Sequence, residues 1–463
     1  MTLIKSISGI RGTIGGKAGD NLTPMDAVKF ASAYGSWLIK RNSHKEKLKV
    51  IIGRDARISG KMISSLVANT LVGLGIDVVD LGLSTTPTVE IAVPLENAEG
   101  GIILTASHNP KQWNALKLLN EKGEFLNGVD GIQILEIAEK EDINFADVDH
   151  LGTYSKKRNY MDLHIDEVLK LDLVDIEAIK NANFKVVVDA VNSTGGIVIP
   201  ALLDRLGVDC VKLYCEPNGL FPHNPEPLKE HLGDISELVI KEKADFGIVV
   251  DPDVDRLALV CEDGSMFGEE YTLVACADYV LSKKPGNTVS NLSSSRALRD
   301  ITLKHGGNYQ ASAVGEVNVV DLMKKSNAII GGEGNGGIIY PESHYGRDSL
   351  VGVALFLSHL ANTNMTCKEL RESYPSYFMS KNKIQLTPEI DVDHILESMA
   401  SKYHNEDVSS VDGIKIDFKT EWVHMRKSNT EPIIRIYTES NSQKAADLLA
   451  SNVMDEISNL AEI

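Results

Sequence analysis

The chain has 463 residues and carries 47 basic against 65 acidic side chains, a formal net charge of −18. Hydrophobic residues make up 43% and charged residues 24%, with 15 prolines, which excludes disorder, collagen and coiled coil as whole-chain descriptions. So acidic a chain repels phosphate backbones and anionic lipid, which disfavours nucleic-acid and membrane-surface binding as the main activity but leaves room for a small anion in a local basic pocket.

The N-terminus, MTLIKSISGIRGTIGG, has no apolar core of signal-peptide length, and Ile10-Arg11-Gly12 is a first basic site. Lys49–Gly53 reads as a buried strand. Gly53-Arg54-Asp55-Ala56-Arg57 follows, either a second basic site or a structural ion pair. Ser59 then caps a helix with Ile63, Leu66, Val67, Thr70 and Leu71 on one face, ending at Gly73 or Gly75 before the strand IDVVDLG. Strand, helix, glycine, strand is the unit of a mainly parallel sheet. It recurs as FKVVVDA, IVIPALLDRLG, VDCVKLY and again as NTVSNLS, SRALRDITLKHGG, NYQASAV, three copies over a hundred residues apart.

Between the first two copies, Ile102–Leu104 is a buried strand and Thr105-Ala106-Ser107-His108-Asn109-Pro110 the loop leaving it. Open α/β sheets bind ligands beyond the carboxyl ends of their strands, so Ser107 is a candidate nucleophile or phosphorylated serine with an acid/base neighbour. The competing reading is a plain turn.

After the second copy, Asp251-Pro252-Asp253-Val254-Asp255-Arg256 follows the strand-like FGIVV. Carboxylates this close need a cation, and oxygen ligands from a short loop suit Mg²⁺ before Zn²⁺. An EF-hand is rejected because Arg256 stands where the loop needs glycine. A solvated acidic turn is disfavoured by the apolar runs on both sides. Gly332–Gly337 spells a literal GxGxxG, but IIYPES follows instead of a helix, so it is read as a loop offering Glu333 and Asn335 to a polar ligand, against a plain glycine turn.

The apolar stretch Leu350–Ala361 is about half a membrane span. Five cysteines without CxxC spacing imply a reducing, cytoplasmic setting. The last ninety residues read as a smaller α+β domain: strands at Lys381–Thr387, Val411–Phe418 and IIRIYTE, then a helix from Asn441 to Leu460 with a capping box of Ser440 and Gln443. Between them, Arg426, Ser428, Asn429, Thr430 and Arg435 suit a phosphate, with a hydroxyl-rich turn as the evenly matched alternative.

A serine donor, an acidic metal loop, a polyhydroxyl-reading loop and a phosphate loop are parts for moving phosphate on a sugar. With TASHNP, DxDxDR and SNTEP in this order, the chain resembles the α-D-phosphohexomutase family of phosphoglucomutases, phosphomannomutases and phosphoglucosamine mutases. The resemblance covers nearly the whole chain. It implies three similar α/β/α domains with mixed, mainly parallel sheets and a smaller C-terminal α+β domain around a central cleft. With linkers near Tyr154, Leu257 and Thr366, these are 1–153 with the phosphoserine loop, 154–257 with the metal loop, 258–370 with the sugar loop and 371–463 with the phosphate loop.

Carried over by resemblance, Ser107 is the phosphoserine with His108 beside it, and Asp251, Asp253 and Asp255 hold one Mg²⁺ together with the serine phosphate. Arg11 and Lys117 serve proton transfer and charge stabilisation. Arg256, Glu333 and Asn335 face the sugar, and Arg426, Ser428, Asn429, Thr430 and Arg435 grip the non-reacting phosphate. The implied reaction interconverts hexose 6- and 1-phosphates through a hexose 1,6-bisphosphate, with glucosamine phosphate favoured over mannose or glucose phosphate. A metal-dependent sugar phosphatase and a non-catalytic sugar-phosphate sensor are the alternatives from other classes. The partner is a small sugar phosphate, with no nucleic acid or membrane, and the chain is a monomer or homodimer. Three departures from the family pattern stand out: Asn114-Ala115 before Lys117, Pro252 and Val254 in the metal loop, and no histidine after Asn335, where His344 or His108 serves instead.

Overall fold

The computed structural model describes residues 2–6, 9–385, 391–427 and 433–461. The first sheet contains β1 (Ile4–Ser6), β2 (Gly9–Thr13), β3 (Lys49–Arg54), β4 (Asp77–Leu83), β5 (Gly100–Leu104), β6 (Trp113–Leu119) and β7 (Tyr154–Lys156), ordered β1-β2-β6-β5-β3-β4-β7. The second holds β8 (Lys185–Asp189), β9 (Asp209–Leu213), β10 (Phe246–Val250) and β11 (Leu257–Cys261), ordered β11-β10-β8-β9. The third holds β12 (Asn287–Asn291), β13 (Tyr309–Ser312), β14 (Ala328–Glu333) and β15 (Gly337–Ile339), ordered β13-β12-β14-β15. The fourth, wholly antiparallel, holds β16 (Phe378–Gln385), β17 (Asp407–Ser409), β18 (Ile414–Asp417), β19 (Trp422–Lys427) and β20 (Ile433–Ser440), ordered β16-β20-β19-β18-β17.

The three α/β domains and the smaller C-terminal domain are therefore as expected, and the helices Gly60–Gly73, Gly195–Arg205 and Ala297–Lys304 complete the three repeats. Each repeat has the same kernel. A central strand (β3, β8 or β12) lies between two parallel neighbours. The last of those neighbours then turns back into an antiparallel partner: β5 into β6, β10 into β11, β14 into β15. The turns at 105–112, 251–256 and 334–336 thus leave equivalent strand ends, and they carry the serine, carboxylate and glycine-rich motifs respectively.

Apolar runs set the layers. The first sheet buries Val50, Ile52, Ile102 and Leu104 on one face and Ile51, Val79 and Ile103 on the other, as alternation in a two-sided sheet requires. The second and third domains share one continuous core, in which Phe356 packs edge-on against Phe246 and Phe267, each at 5.3 Å between centroids. Phe356 lies on the buried helix Ser349–Thr363, which takes up the apolar stretch noted in the sequence. Among the described residues no helix is long and apolar enough to cross a membrane.

Local details differ from the sequence reading. Tyr154–Lys156, set at the start of the second domain, pairs with β4 and closes the first sheet. Leu257–Cys261, set at the start of the third, pairs along its whole length with β10 in the second. Ser59 precedes its helix but makes no side-chain cap; its hydroxyl instead accepts from Asn114 Nδ2 at 2.9 Å. The last helix begins at Gln443 and is capped by Ser442, which accepts from Ala445 N, while Ser440 ends β20 and donates to Glu421. Strand β19 and the helix Val392–Lys402 were not anticipated.

Candidate active site

The serine loop is held from below. Thr105 Oγ1 donates to Asp55 Oδ2 at 2.7 Å and accepts from Ser107 N at 2.9 Å. Arg57, whose sequence context allowed a structural ion pair, forms one with Asp55 at 2.9 Å and also donates to the carbonyls of Ser107, Asn109, Pro110 and Trp113. Ser107 takes φ +48, a left-handed conformation that residues with a Cβ rarely adopt, and its Oγ donates to Asp251 Oδ2 at 2.7 Å. His108 Nδ1 lies 3.4 Å from the same Oγ. Burial and nearby Arg256 push the His108 imidazole well below its ordinary pKa, so it is neutral near pH 7.

Opposite the serine, Asp251, Asp253 and Asp255 are fully buried, with one carboxylate oxygen from each within 4.8 Å of the others. Their second oxygens are largely accounted for. Asp251 Oδ1 accepts from the backbone N–H groups of Asp255 and Arg256 at 3.2 Å. Asp253 Oδ2 accepts from Thr86 Oγ1 at 2.6 Å and Lys117 Nζ at 2.7 Å. Asp255 Oδ2 accepts from Lys117 at 3.3 Å and Arg347 at 2.6 Å. What remains is one buried oxygen without a partner on each of Asp253 and Asp255. Unpartnered buried carboxylate oxygens beside a hydroxyl form a donor set that fits a hard divalent cation. Burial and the two neighbouring carboxylates push Asp251 well above the usual carboxylate range. Burial also opposes ionisation of Asp255, yet Arg347 and Lys117 beside it hold its carboxyl below that range. Within this loop Val254 sits at φ +64, a strained conformation for a β-branched residue.

A cleft of ≈ 420 Å³ opens above the serine and is lined by Arg11, Ser107, His108, Lys117, Arg256, Glu316, Glu333 and Arg347, among others. Burial lowers Lys117, but Asp253 and Asp255 outweigh it and raise the ammonium above its ordinary range. Burial and Arg256 lower Arg11. Glu333 is buried and already engaged: Oε1 accepts from Asn291 Nδ2 at 2.8 Å and Gly315 N at 3.0 Å, Oε2 from Arg347 at 2.8 Å. Glu316 accepts from Arg347 N at 3.1 Å, and burial pushes its carboxyl up to about 7 against the pull of Arg347.

The glycine-rich spelling of 331–337 has a local cause. A Cβ on Gly334 would stand 2.0 Å from Glu270 Oε2, and one on Gly336, which adopts φ +86, 2.3 Å from the Leu257 carbonyl oxygen. The segment is a tight hairpin, and no helix follows, as expected. Asn335 turns its Oδ1 to Gly337 N at 3.2 Å and does not line the cleft. His344 sits between Asp348 (3.2 Å) and Glu90 (3.4 Å) and does not line the cleft; His108 is the one histidine lining it among the described residues. Arg426 and Arg435 face one another across β19 and β20, outside the residues that line this cleft. Ser428, Asn429 and Thr430 lie outside the described residues.

Sequence reasoning missed Thr86, Glu316 and Arg347. The signal for Arg347 was Asp348 before a long apolar run, an N-cap pattern that marks a helix start. Asp348 Oδ1 does accept from Leu350 N at 2.8 Å.

Four family profiles match the chain in order. They are the phosphoglucomutase/phosphomannomutase alpha/beta/alpha domains I (residues 3–144), II (162–264) and III (268–377) and the C-terminal domain (386–456). The chain is 35% identical to a phosphoglucomutase/phosphomannomutase of Thermococcus kodakarensis, over 94% of this chain and 95% of that protein. It is 30% identical to a phosphoglucosamine/phosphogalactosamine mutase of Sulfurisphaera tokodaii, over 98% of both. Its fold is similar to that of a phosphoglucomutase/phosphomannomutase family protein of Burkholderia thailandensis, with TM-score 0.84 and 24% identity over 99% of this chain and 97% of that one.

Proposed function

Because the chain belongs to the phosphoglucomutase/phosphomannomutase family and is a hexose-phosphate mutase, we propose that Ser107 is its phosphoryl carrier and glucosamine phosphate its preferred substrate. The observation that carries this reading is the 2.7 Å contact of Ser107 Oγ with Asp251, beside two carboxylates with unpartnered oxygens. Asp251, Asp253 and Asp255, with the serine phosphate, are the groups to hold a Mg²⁺ ion. The ion would supply charge neutralisation of the phosphoryl oxygens.

In the forward direction the bond between Ser107 Oγ and phosphorus breaks as one forms from phosphorus to the free sugar hydroxyl, giving a hexose 1,6-bisphosphate. The hydroxyl proton leaves to a base, and the departing Ser107 oxygen takes up one; the neutral imidazole of His108, 3.4 Å from that oxygen, suits both tasks. After the intermediate turns over, its other phosphate returns to Ser107. Lys117, a cation fixed by two carboxylates, suits charge stabilisation and not proton removal. Arg11 and Arg256 add positive charge at the cleft wall. Arg426 and Arg435, paired across β19 and β20, together with Ser428, Asn429 and Thr430, are assigned to the phosphate that is not reacting.

The preference for an amino sugar rests on the relative of that name and on the buried acids Glu316 and Glu333, which favour an ammonium group nearby. The Thermococcus relative supports a second reading, glucose or mannose phosphate. Catalytic efficiencies for glucosamine, glucose and mannose 6-phosphates decide between them. Intact-mass measurement tests the carrier: a phosphoryl mass on wild type should be lost in Ser107→Ala together with turnover, and an active Ser107→Ala protein would sink the assignment.

A further inference from the structure

Arg57 is 1% exposed and commits every N–H of its guanidinium group. Nε donates to Asp55 Oδ2 at 2.9 Å; one terminal nitrogen donates to the Pro110 and Trp113 carbonyls at 2.7 and 3.1 Å, the other to Ser107 O and to Asn109 O at 2.6 Å. A guanidinium holds its five donors in one rigid plane, so four carbonyls of the serine loop are fixed relative to that plane. Asp55 fixes the plane in turn, since its Oδ1 accepts from Arg57 N at 3.0 Å and its Oδ2 from Thr105.

The second domain closes over this clamp. The Phe221 ring lies 5.1 Å from the guanidinium, and Gly219 comes so near that a Cβ there would stand 2.1 Å from Ala56 O. Arg57 does not line the cleft and has no donor left for a ligand. Any effect it has on chemistry must pass through the loop. What the loop needs is support for a left-handed Ser107, whose backbone at φ +48 directs Oγ to Asp251.

We propose that Arg57 is a positioning residue for phosphoryl transfer, holding Ser107 in the strained conformation from which its oxygen meets the carboxylate triad. The role rests on the reading of Ser107 as phosphoryl carrier. A lysine keeps the charge but offers three donors on a flexible stem, so it cannot reproduce the planar clamp.

The test is steady-state kinetics of Arg57→Lys with urea unfolding measured alongside. Misplacement of a reacting atom by a fraction of an ångström predicts a fall in kcat of about 10- to 100-fold, with KM for the hexose phosphate within about twofold. Millimolar guanidinium chloride should restore part of the turnover of Arg57→Gly, and equal sodium chloride should not. A wild-type kcat with only a lower unfolding midpoint would overturn the proposal, as would a raised KM with kcat unchanged. If Arg57→Lys does not fold, Asp55→Asn decides by the same criterion. Ser107→Ala separates the two levels. If it turns over normally, the carrier reading falls and this role with it; if it is dead while Arg57→Lys is unimpaired, only the role of Arg57 falls.

Discussion

Arg347 and Asp255 lie 2.6 Å apart, a guanidinium of the third domain on a carboxylate of the second. The same guanidinium meets Glu333 at 2.8 Å and Glu316 at 3.0 Å, so one cation answers three buried acids. Their charges make Arg347 a harder acid to deprotonate than usual, even against burial.

Replacing Arg347 with methionine should therefore destabilise the protein strongly, since removing one partner of a buried ionic cluster typically costs about 3–5 kcal/mol. Urea unfolding at neutral pH measures the loss. The deficit should shrink as pH falls, because the stranded carboxylates can take up protons. A deficit independent of pH would contradict this account.

Asp253→Asn should weaken Mg²⁺ binding and lower turnover by at least about tenfold, given the several kcal/mol a metal can supply. The fold should survive, since fewer negative charges then converge on the loop. Turnover titrated against Mg²⁺ concentration checks this; wild-type rates at limiting Mg²⁺ would return the loop to the status of an acidic turn.

Glu270, beneath the glycine-rich hairpin, has its carboxyl pushed by burial up to about 8 from 4.5. A raised acid stays protonated in the folded protein while the unfolded chain releases its proton. Its contribution to stability is thus full below about pH 4.5 and is lost as pH rises through about 8. Glu270→Gln, neutral throughout, should gain stability relative to wild type across that window. Unfolding free energies of both proteins at pH 5 and pH 8.5 give the comparison, and a constant difference would rule the linkage out.

Arg426→Ala should weaken all hexose phosphates by similar factors, because charge-assisted phosphate contacts of about 1.5–3 kcal/mol do not depend on the sugar. Glu333→Gln should cost more for glucosamine phosphate than for glucose phosphate. Catalytic efficiencies of both mutants on both substrates test the pair. If Arg426→Ala changes the preference and Glu333→Gln does not, the two roles are reversed.

Much of this was legible in the sequence because the repeats announce themselves. Short β-branched runs such as Val186–Val188, glycines after helices and polar loops after apolar strands are local patterns, and the fold follows them. The carboxylate triad was legible for the same reason: its members fall within five residues. What stayed hidden is long-range. Arg347 meets Asp255 across 92 residues and Lys117 meets Asp253 across 136, and no periodicity reports such partners. Arg57 could be read as half of an ion pair with Asp55, but its hold on carbonyls more than fifty residues away depended on where the serine loop folds. His344 pairs with Asp348 four residues on, a contact helical spacing allows, but its second partner, Glu90, lies far away in sequence.

The core shared by the second and third domains has a mechanical consequence. Asp255 and Glu333 hang from strands embedded in one apolar mass, so their spacing can change only by unpacking Phe246, Phe267 and Phe356. Ser107 meets Asp251, and Thr86 and Lys117 meet Asp253, through hydrogen bonds between the first and second domains and not through that apolar mass. One wall of the site is thus fixed by shared packing, and the other is set against it by directional polar contacts.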